Sequence, residues 1–233
     1  MGILRLVTWN INGAGTRGKR LKIFNQLKKL QADVVLLQET HKPVTGLNEL
    51  KTPEFPNVFA ACYNSRQQGV AILIHKNVNF TVLDTVIDPE GRFLILKLSI
   101  LNKKLCIVSI YGPSVDEPSF FHGFFSALSE HLDCALILGG DLNLGLNEEM
   151  DRLNTTGTQR NLAFAMHGAP VTPTVTQEFF LLFVSFFSLP PLLTVSSPLW
   201  FSCFLSPSFF HSFPLSYPTV MSVPFATENK INS

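Results

Sequence analysis

Short apolar runs broken by polar turns fill the first 162 residues. Residues 4–10 (LRLVTWN) are apolar and β-prone and lead into a polar INGAG turn. Residues 19–30 then place Ile23, Phe24, Leu27 and Leu30 at helical spacing among lysines, which predicts a helix with one apolar and one basic face. Residues 34–38 read as a buried strand ending in polar QET. Residues 58–63 and 70–75 are two further strands, joined by the polar NSRQQG stretch as a hairpin. Residues 80–87, a DPEG turn at 88–91, the run RFLILKLSI, and LCIVSIYGP after Asn102–Lys103 predict a second set of hairpins. Residues 119–131 carry Phe121, Phe125 and Leu128 on one helical stripe that Leu132 continues, with Ser119 as the cap. Residues 135–138 form a last strand that ends in GGDLN. Hairpins with occasional helices, rather than a regular β-α alternation, predict an α/β fold: a two-sheet, mixed or antiparallel sandwich flanked by helices.

Charge divides the chain. The net charge is only +1, which excludes a strongly basic nucleic-acid-binding tail but not a local basic groove. Residues 1–162 hold 32 of the 35 charged side chains, and residues 163–233 hold only Glu178, Glu228 and Lys230. The expected organisation is therefore a domain over 1–162 and a low-complexity tail over 163–233 that forms no ordered domain. Between residues 179 and 225, 36 of 47 residues are Phe, Ser, Leu or Pro, a composition that fits translation through a pyrimidine-rich stretch of DNA. An apolar run of 11 residues from 179 to 189 stops at Pro190–Pro191, too short to span a membrane, and later prolines break any following helix. The four cysteines have no metal-binding spacing, and the N-terminus has no signal-peptide pattern, so the expected location is intracellular.

Polar residues collect where strands end: Trp9–Asn10, Gln38–Glu39–Thr40, Tyr111–Gly112 and Asp141–Leu142–Asn143. Strand ends along one edge of a sandwich are where sites are built. A carboxylate with nearby amides suits a hard cation with oxygen ligands, Mg²⁺ or Mn²⁺. Asp141 and Asn143, two residues apart in an extended segment, would share a side and could orient a water and a phosphate oxygen, a recipe for phosphoester hydrolysis. Plainer readings apply elsewhere. Asp33 reads as a turn residue, and His41 and His75 as solvated edge residues. The phenylalanines of 120–125 read as core, the lysines of 19–29 as a solvated helix face, and Gly139–Gly140 as a bend or a close backbone approach.

TWNING at 8–13, LLQETH at 36–41, GVAILI at 69–74, SIYGP at 109–113 and GGDLN at 139–143 occur in that order. Together they resemble the endonuclease/exonuclease/phosphatase superfamily. Within it the chain is most similar to the apurinic-endonuclease-like domain of non-LTR (LINE-type) retrotransposons, through QETH, GRF at 91–93 and NEEMDR at 147–152. The resemblance covers about residues 4–161. It implies Mg²⁺-dependent cleavage of phosphodiester bonds in DNA and a nuclear location. Asn10 and Glu39 would lie at the metal, with Glu39 the direct ligand. Tyr111 would contact the scissile phosphate, Asp141 would position and activate the attacking water, and Asn143 would hold that water or a phosphate oxygen. The same resemblance implies a later SRID-like strand and an SDH-like Asp–His pair. No Asp follows Leu162, and His167 and His211 have no acidic neighbour. The expectation is a truncated domain whose second sheet lacks its closing strands. Three functions compete: an active nuclease, a catalytically dead remnant, and a phosphatase on another phosphoester, against which QETH and NEEMDR argue.

Overall fold

A computed structural model describes residues 2–115, 117–131, 133–143, 179–183 and 218–225. The expected domain boundary at 162, NEEMDR at 147–152, Leu132, His167 and His211 fall outside them. The order is β1 (Gly2–Asn10), α1 (Arg17–Leu30), β2 (Val34–Gln38), a 3₁₀ turn (Val44–Leu50), β3 (Asn57–Ala61), β4 (Val70–Ile74), β5 (Phe80–Ile87), β6 (Phe93–Ile100), β7 (Lys103–Tyr111), α2 (Pro118–Ser129), β8 (Ala135–Asp141), β9 (Phe179–Phe183) and β10 (Thr219–Phe225). They build two mixed five-stranded sheets, β10-β1-β2-β4-β3 and β5-β6-β7-β8-β9. Each sheet has a helix on its outer face, so the expected two-sheet α/β sandwich is the observed one. No helix among the described residues is long and apolar enough to cross a membrane.

Strand alternation explains the layers. Leu4 and Leu6 of β1, Val34 and Leu36 of β2, Leu105 and Ile107 of β7 and Ile137 of β8 meet in the core between the sheets. The residues between them point outward. Val7, Trp9, Val35 and Leu37 pack on Ile23 and Leu27 of α1. Cys106, Val108, Leu136 and Leu138 pack with Phe120, Phe121, Phe124 and Leu128 of α2. Both faces of the central strands are buried, which is why they read as unbroken apolar runs.

Several expected boundaries move. Thr16 caps α1 by accepting from the Lys19 N–H at 3.3 Å, so the helix starts two residues early. Helix α2 starts at Pro118, in the position where a missing N–H costs nothing, so Ser119 is not its cap. Its buried stripe accordingly centres on Phe120, Phe124 and Leu128, with Phe121 beside it, while Phe125 is only partly buried. The β6–β7 turn is Leu101–Asn102 rather than Asn102–Lys103. Both have positive φ, +50° and +62°, the two-residue geometry that matches the strand twist.

Contrary to expectation, one strand closes the second sheet beyond β8, and another extends the first sheet beyond β1. β9 pairs in parallel with β8 from Leu136↔Phe179 to Gly140↔Phe183. β10 pairs antiparallel with β1 from Gly2↔Phe225 to Thr8↔Thr219, and buries Met221 and Val223 against the inter-sheet core. Both segments come from the stretch after 162. Their sequences, FFLLF and TVMSVPF, are apolar and β-prone, and an unpaired strand edge next to an apolar face is a ready template for such a run.

Candidate active site

The inner face of the sandwich turns polar at one end. One step along from the apolar layer, Thr8, Gln38 and Ser109 take the inward positions of β1, β2 and β7, and Gly139 takes that of β8. All three side chains are buried and joined: Gln38 Nε2 donates to Thr8 Oγ1 at 3.1 Å and to Ser109 Oγ at 3.2 Å. Ser109 Oγ donates to the Leu37 carbonyl at 3.3 Å, which ties β7 to the opposite sheet. A Cβ at Gly139 would press on Thr8 and Leu36, and one at Gly140 would lie on the Ile110 carbonyl oxygen. The glycine pair therefore serves close approach.

One further step brings Asn10, Tyr111 and Asp141, again the inward positions of β1, β7 and β8. Asn10 Nδ2 donates to Glu39 Oε1 at 2.8 Å and to Asp141 Oδ2 at 3.3 Å, so one amide touches two carboxylates from two sheets. Glu39 breaks the alternation. Its odd position would send it outward with Val35 and Leu37, but its φ of +52° turns the side chain back into the site. Asn143 also departs from the expected geometry. It has a φ of +51° and closes a turn in which its N–H donates to Asp141 Oδ1 at 3.0 Å, while its Nδ2 donates to the Gly112 carbonyl at 2.7 Å. The two residues share a side through this turn, not through an extended strand. Asn12, His41 and Gln68 also have positive φ, so five of the eight described non-glycine residues in that region surround the site. Each such residue costs of order 1–3 kcal/mol, and clustering of this kind marks functional sites.

All five expected site residues thus come together. Sequence reasoning missed others. His41, expected in solvent, is half-buried with Nε2 3.4 Å from Glu39 Oε2. Burial lowers its pKa below the ordinary value, against the opposing pull of Glu39 and with a smaller push from Lys19. Lys19 donates to the Asn12 carbonyl, so the start of the basic face of α1 borders the site. Asp33 does act as a turn residue, accepting from the Arg5 N–H at 2.8 Å, and His75 packs edge-on against Phe55. Beside Glu39 opens a groove of about 260 Å³, walled by His41, Arg66, Gln68, Arg92 and Tyr111. Arg92 is fixed there by Glu117 at 2.9 Å and lies over the Phe120 ring at 4.4 Å. The GRF signal pointed to this residue without showing its place in the wall.

Burial, and then the charge of Glu39, push the Tyr111 phenol up to about 12, with a smaller push from Asp141. Tyr111 therefore remains a neutral O–H donor at any working pH. Because the folded pKa is raised, this stabilising contribution is complete below about pH 10, the ordinary tyrosine value, and fades as pH rises towards the folded value. An ultraviolet difference titration of the parent chain against Tyr111→Phe is expected to show one step at about pH 12. A step at the ordinary tyrosine value would place the phenol in solvent instead.

The oxygen-rich set of two carboxylates and two amides, with the carboxylates drawn to one amide, fits a hard divalent cation. This fold and site define a class. The chain matches the Endonuclease/Exonuclease/phosphatase family over residues 7–215, and it belongs to that family. It is 22% identical over 174 residues to the exodeoxyribonuclease of Bacillus subtilis (strain 168), covering 70% of this chain and 67% of that protein. Among solved structures it is similar to truncated Caenorhabditis elegans TDP2, with 22% identity, a TM-score of 0.47, and 63% of this chain and 64% of that one covered. It is also similar to the AP endonuclease LMAP from Leishmania major, with 18% identity, a TM-score of 0.49, and 63% and 57% covered. The chain spans less than two thirds of either solved protein.

Proposed function

We propose that this chain carries a divalent-metal-dependent phosphodiesterase site that cleaves DNA. The observation that carries the reading is the convergence of Asn10, Glu39, Tyr111, Asp141 and Asn143 from four strand ends, with Asn10 bonded to both carboxylates. Glu39, with Asn10 beside it, would hold Mg²⁺ or Mn²⁺. Such an ion, when bound, neutralises charge on phosphoryl oxygens. Tyr111, whose O–H is bonded to Glu39 in the free site, would turn it to a phosphate oxygen once Glu39 holds the ion. Asp141, held at both oxygens by Asn143 and Asn10, accepts the proton of an attacking water, and Asn143 keeps that water or a phosphate oxygen in line. Arg66 lines the adjoining groove as a cation suited to the flanking backbone of DNA, whereas Arg92 in the same wall is already paired with Glu117, Glu90 and Asp88.

The retrotransposon-type assignment is supported by QETH, GRF and NEEMDR, and a nuclear location follows from the same reading. The dead-remnant reading draws on a separate observation: within residues 163–233 no Asp stands beside His167 or His211. Loss of such a general acid–base group costs about 10²–10⁴-fold in rate, so nicking slower than that of a relative with the pair is the expected result. The test is a supercoiled-plasmid nicking assay on the purified chain with Mg²⁺, with Mn²⁺, with EDTA and with Glu39→Ala. Nicking that needs both the metal and Glu39 supports the site. Soluble, folded protein that never nicks leaves the remnant reading standing.

A further inference from the structure

Glu39 has partners on both oxygens: Oε1 accepts from Asn10 Nδ2 at 2.8 Å, Oε2 lies 3.4 Å from His41 Nε2, and the Tyr111 hydroxyl also bonds the carboxylate. The grip of His41 is built by several parts of the chain. Glu39 and His41 both have left-handed backbone, with φ of +52° and +50°, on either side of buried Thr40. Four main-chain hydrogen bonds lock that conformation. Gly13 N–H donates to Glu39 O at 2.6 Å, and Ala14 N–H to Thr40 O at 2.9 Å. Thr40 N–H donates to Gly69 O at 2.9 Å, and His41 N–H to Gln68 O at 3.0 Å. Two segments, 13–14 and 68–69, thus hold the 39–41 corner from opposite sides. The imidazole also has a seat. Gly13 has a φ of +89°, and a Cβ there would stand 2.8 Å from His41 Nδ1. Position 13 therefore serves both the backbone turn and the ring.

We infer that His41 is a positioning residue for Glu39, with its ring seated on Gly13 and its Nε2 fixing Oε2, so that the carboxylate presents one orientation to a divalent cation. The inference rests on the metal-site reading above. A carboxylate on a single bond sweeps a wide arc, and two grips on its two oxygens remove that freedom before a cation arrives. Partners that orient a ligand from behind are worth about 10–100-fold in metal affinity or activity.

The test uses the full chain and two readouts: calorimetric binding of Mn²⁺ alone, and plasmid nicking against Mn²⁺ concentration. His41→Ala is expected to weaken Mn²⁺ binding about 10–100-fold, with nicking largely restored at saturating metal. His41→Gln, whose Nε2 reaches the same place, is expected to recover part of the affinity. Gly13→Ala, which displaces the ring while keeping it, is expected to weaken binding in the same direction. The double variant His41→Ala, Gly13→Ala should lose clearly less affinity than the two single losses combined, because the ring contact is removed only once, while the strain alanine puts on the left-handed turn at 13 is common to both Gly13 variants. Circular dichroism screens every variant, and if His41→Ala does not fold, His41→Gln and Gly13→Ala carry the test. Unchanged Mn²⁺ affinity in the folded variants overturns the inference, as does full additivity. A loss in His41→Ala equal to that in Glu39→Ala would make His41 a ligand, and also overturns it. If Glu39→Ala itself leaves Mn²⁺ binding and nicking intact, the metal-site reading fails first.

Discussion

Asp141→Asn is expected to lower metal-dependent nicking by about 10²–10⁴-fold, the usual worth of a positioned proton acceptor. The side chain is buried at the end of β8, with 6% of its surface exposed, and both carboxylate oxygens accept hydrogen bonds. Asparagine matches its shape but must turn an NH₂ group towards either the Asn143 N–H or Asn10 Nδ2. One of those donors then loses its acceptor, which costs about 1–3 kcal/mol. The variant should therefore fold with a slightly lower melting temperature and fail at chemistry. Turnover and thermal unfolding, measured on the same preparation, separate the two effects. A folded Asp141→Asn chain that nicks within a few-fold of the parent would remove Asp141 from the reaction.

Removing residues 218–233 is expected to cost the domain much of its stability. β10 covers the free edge of β1 over seven residue pairs and buries Met221 and Val223 on Leu4 and Leu6. Burial of side chains of this size contributes roughly 1.5–3 kcal/mol each. Domains have only about 5–15 kcal/mol in total, and the exposed β1 edge adds an aggregation surface. Urea unfolding followed through Trp9, buried beside this strand, should show a clearly lower midpoint in the shortened chain. An unchanged midpoint would mean that β10 does not hold β1. The nicking assay on both chains then tells whether the site, which hangs from the far end of β1 at Asn10, depends on that support.

The expected site residues were legible from the motifs at the strand ends, and strand alternation accounts for three of the five, because Glu39 and Asn143 reach the site through left-handed backbone. Asn10, Tyr111 and Asp141 follow inward apolar residues at even spacing, so the same periodicity that builds the core delivers them to one edge. His41 escaped because its place depends on two left-handed residues and on a glycine 28 positions earlier, neither of which has a periodic signal. The Thr8–Gln38–Ser109 layer escaped for a related reason. Each residue is unremarkable alone, and only the packing of one sheet on the other makes them neighbours. In α2 the paired phenylalanines at 120–121 and 124–125 offer two equally apolar stripes, and only packing on Cys106, Val108, Leu136 and Leu138 of the sheet selects the one through Phe120 and Phe124.

By itself, the amino-acid sequence determined strands β1 to β8, both α-helices, the sandwich class and the polar residues at the strand ends, because these rest on local periodicity and on motifs in order. The tertiary structure decided what long-range pairing alone can decide. It turned Glu39 and His41 face to face, closed Asn143 back onto Asp141, and set Arg92 in the groove wall. It also recruited two short apolar runs from a Phe- and Ser-rich stretch to complete two sheets. The composition of that stretch carried no information about unpaired edges elsewhere in the fold, and it was those edges that gave β9 and β10 their partners.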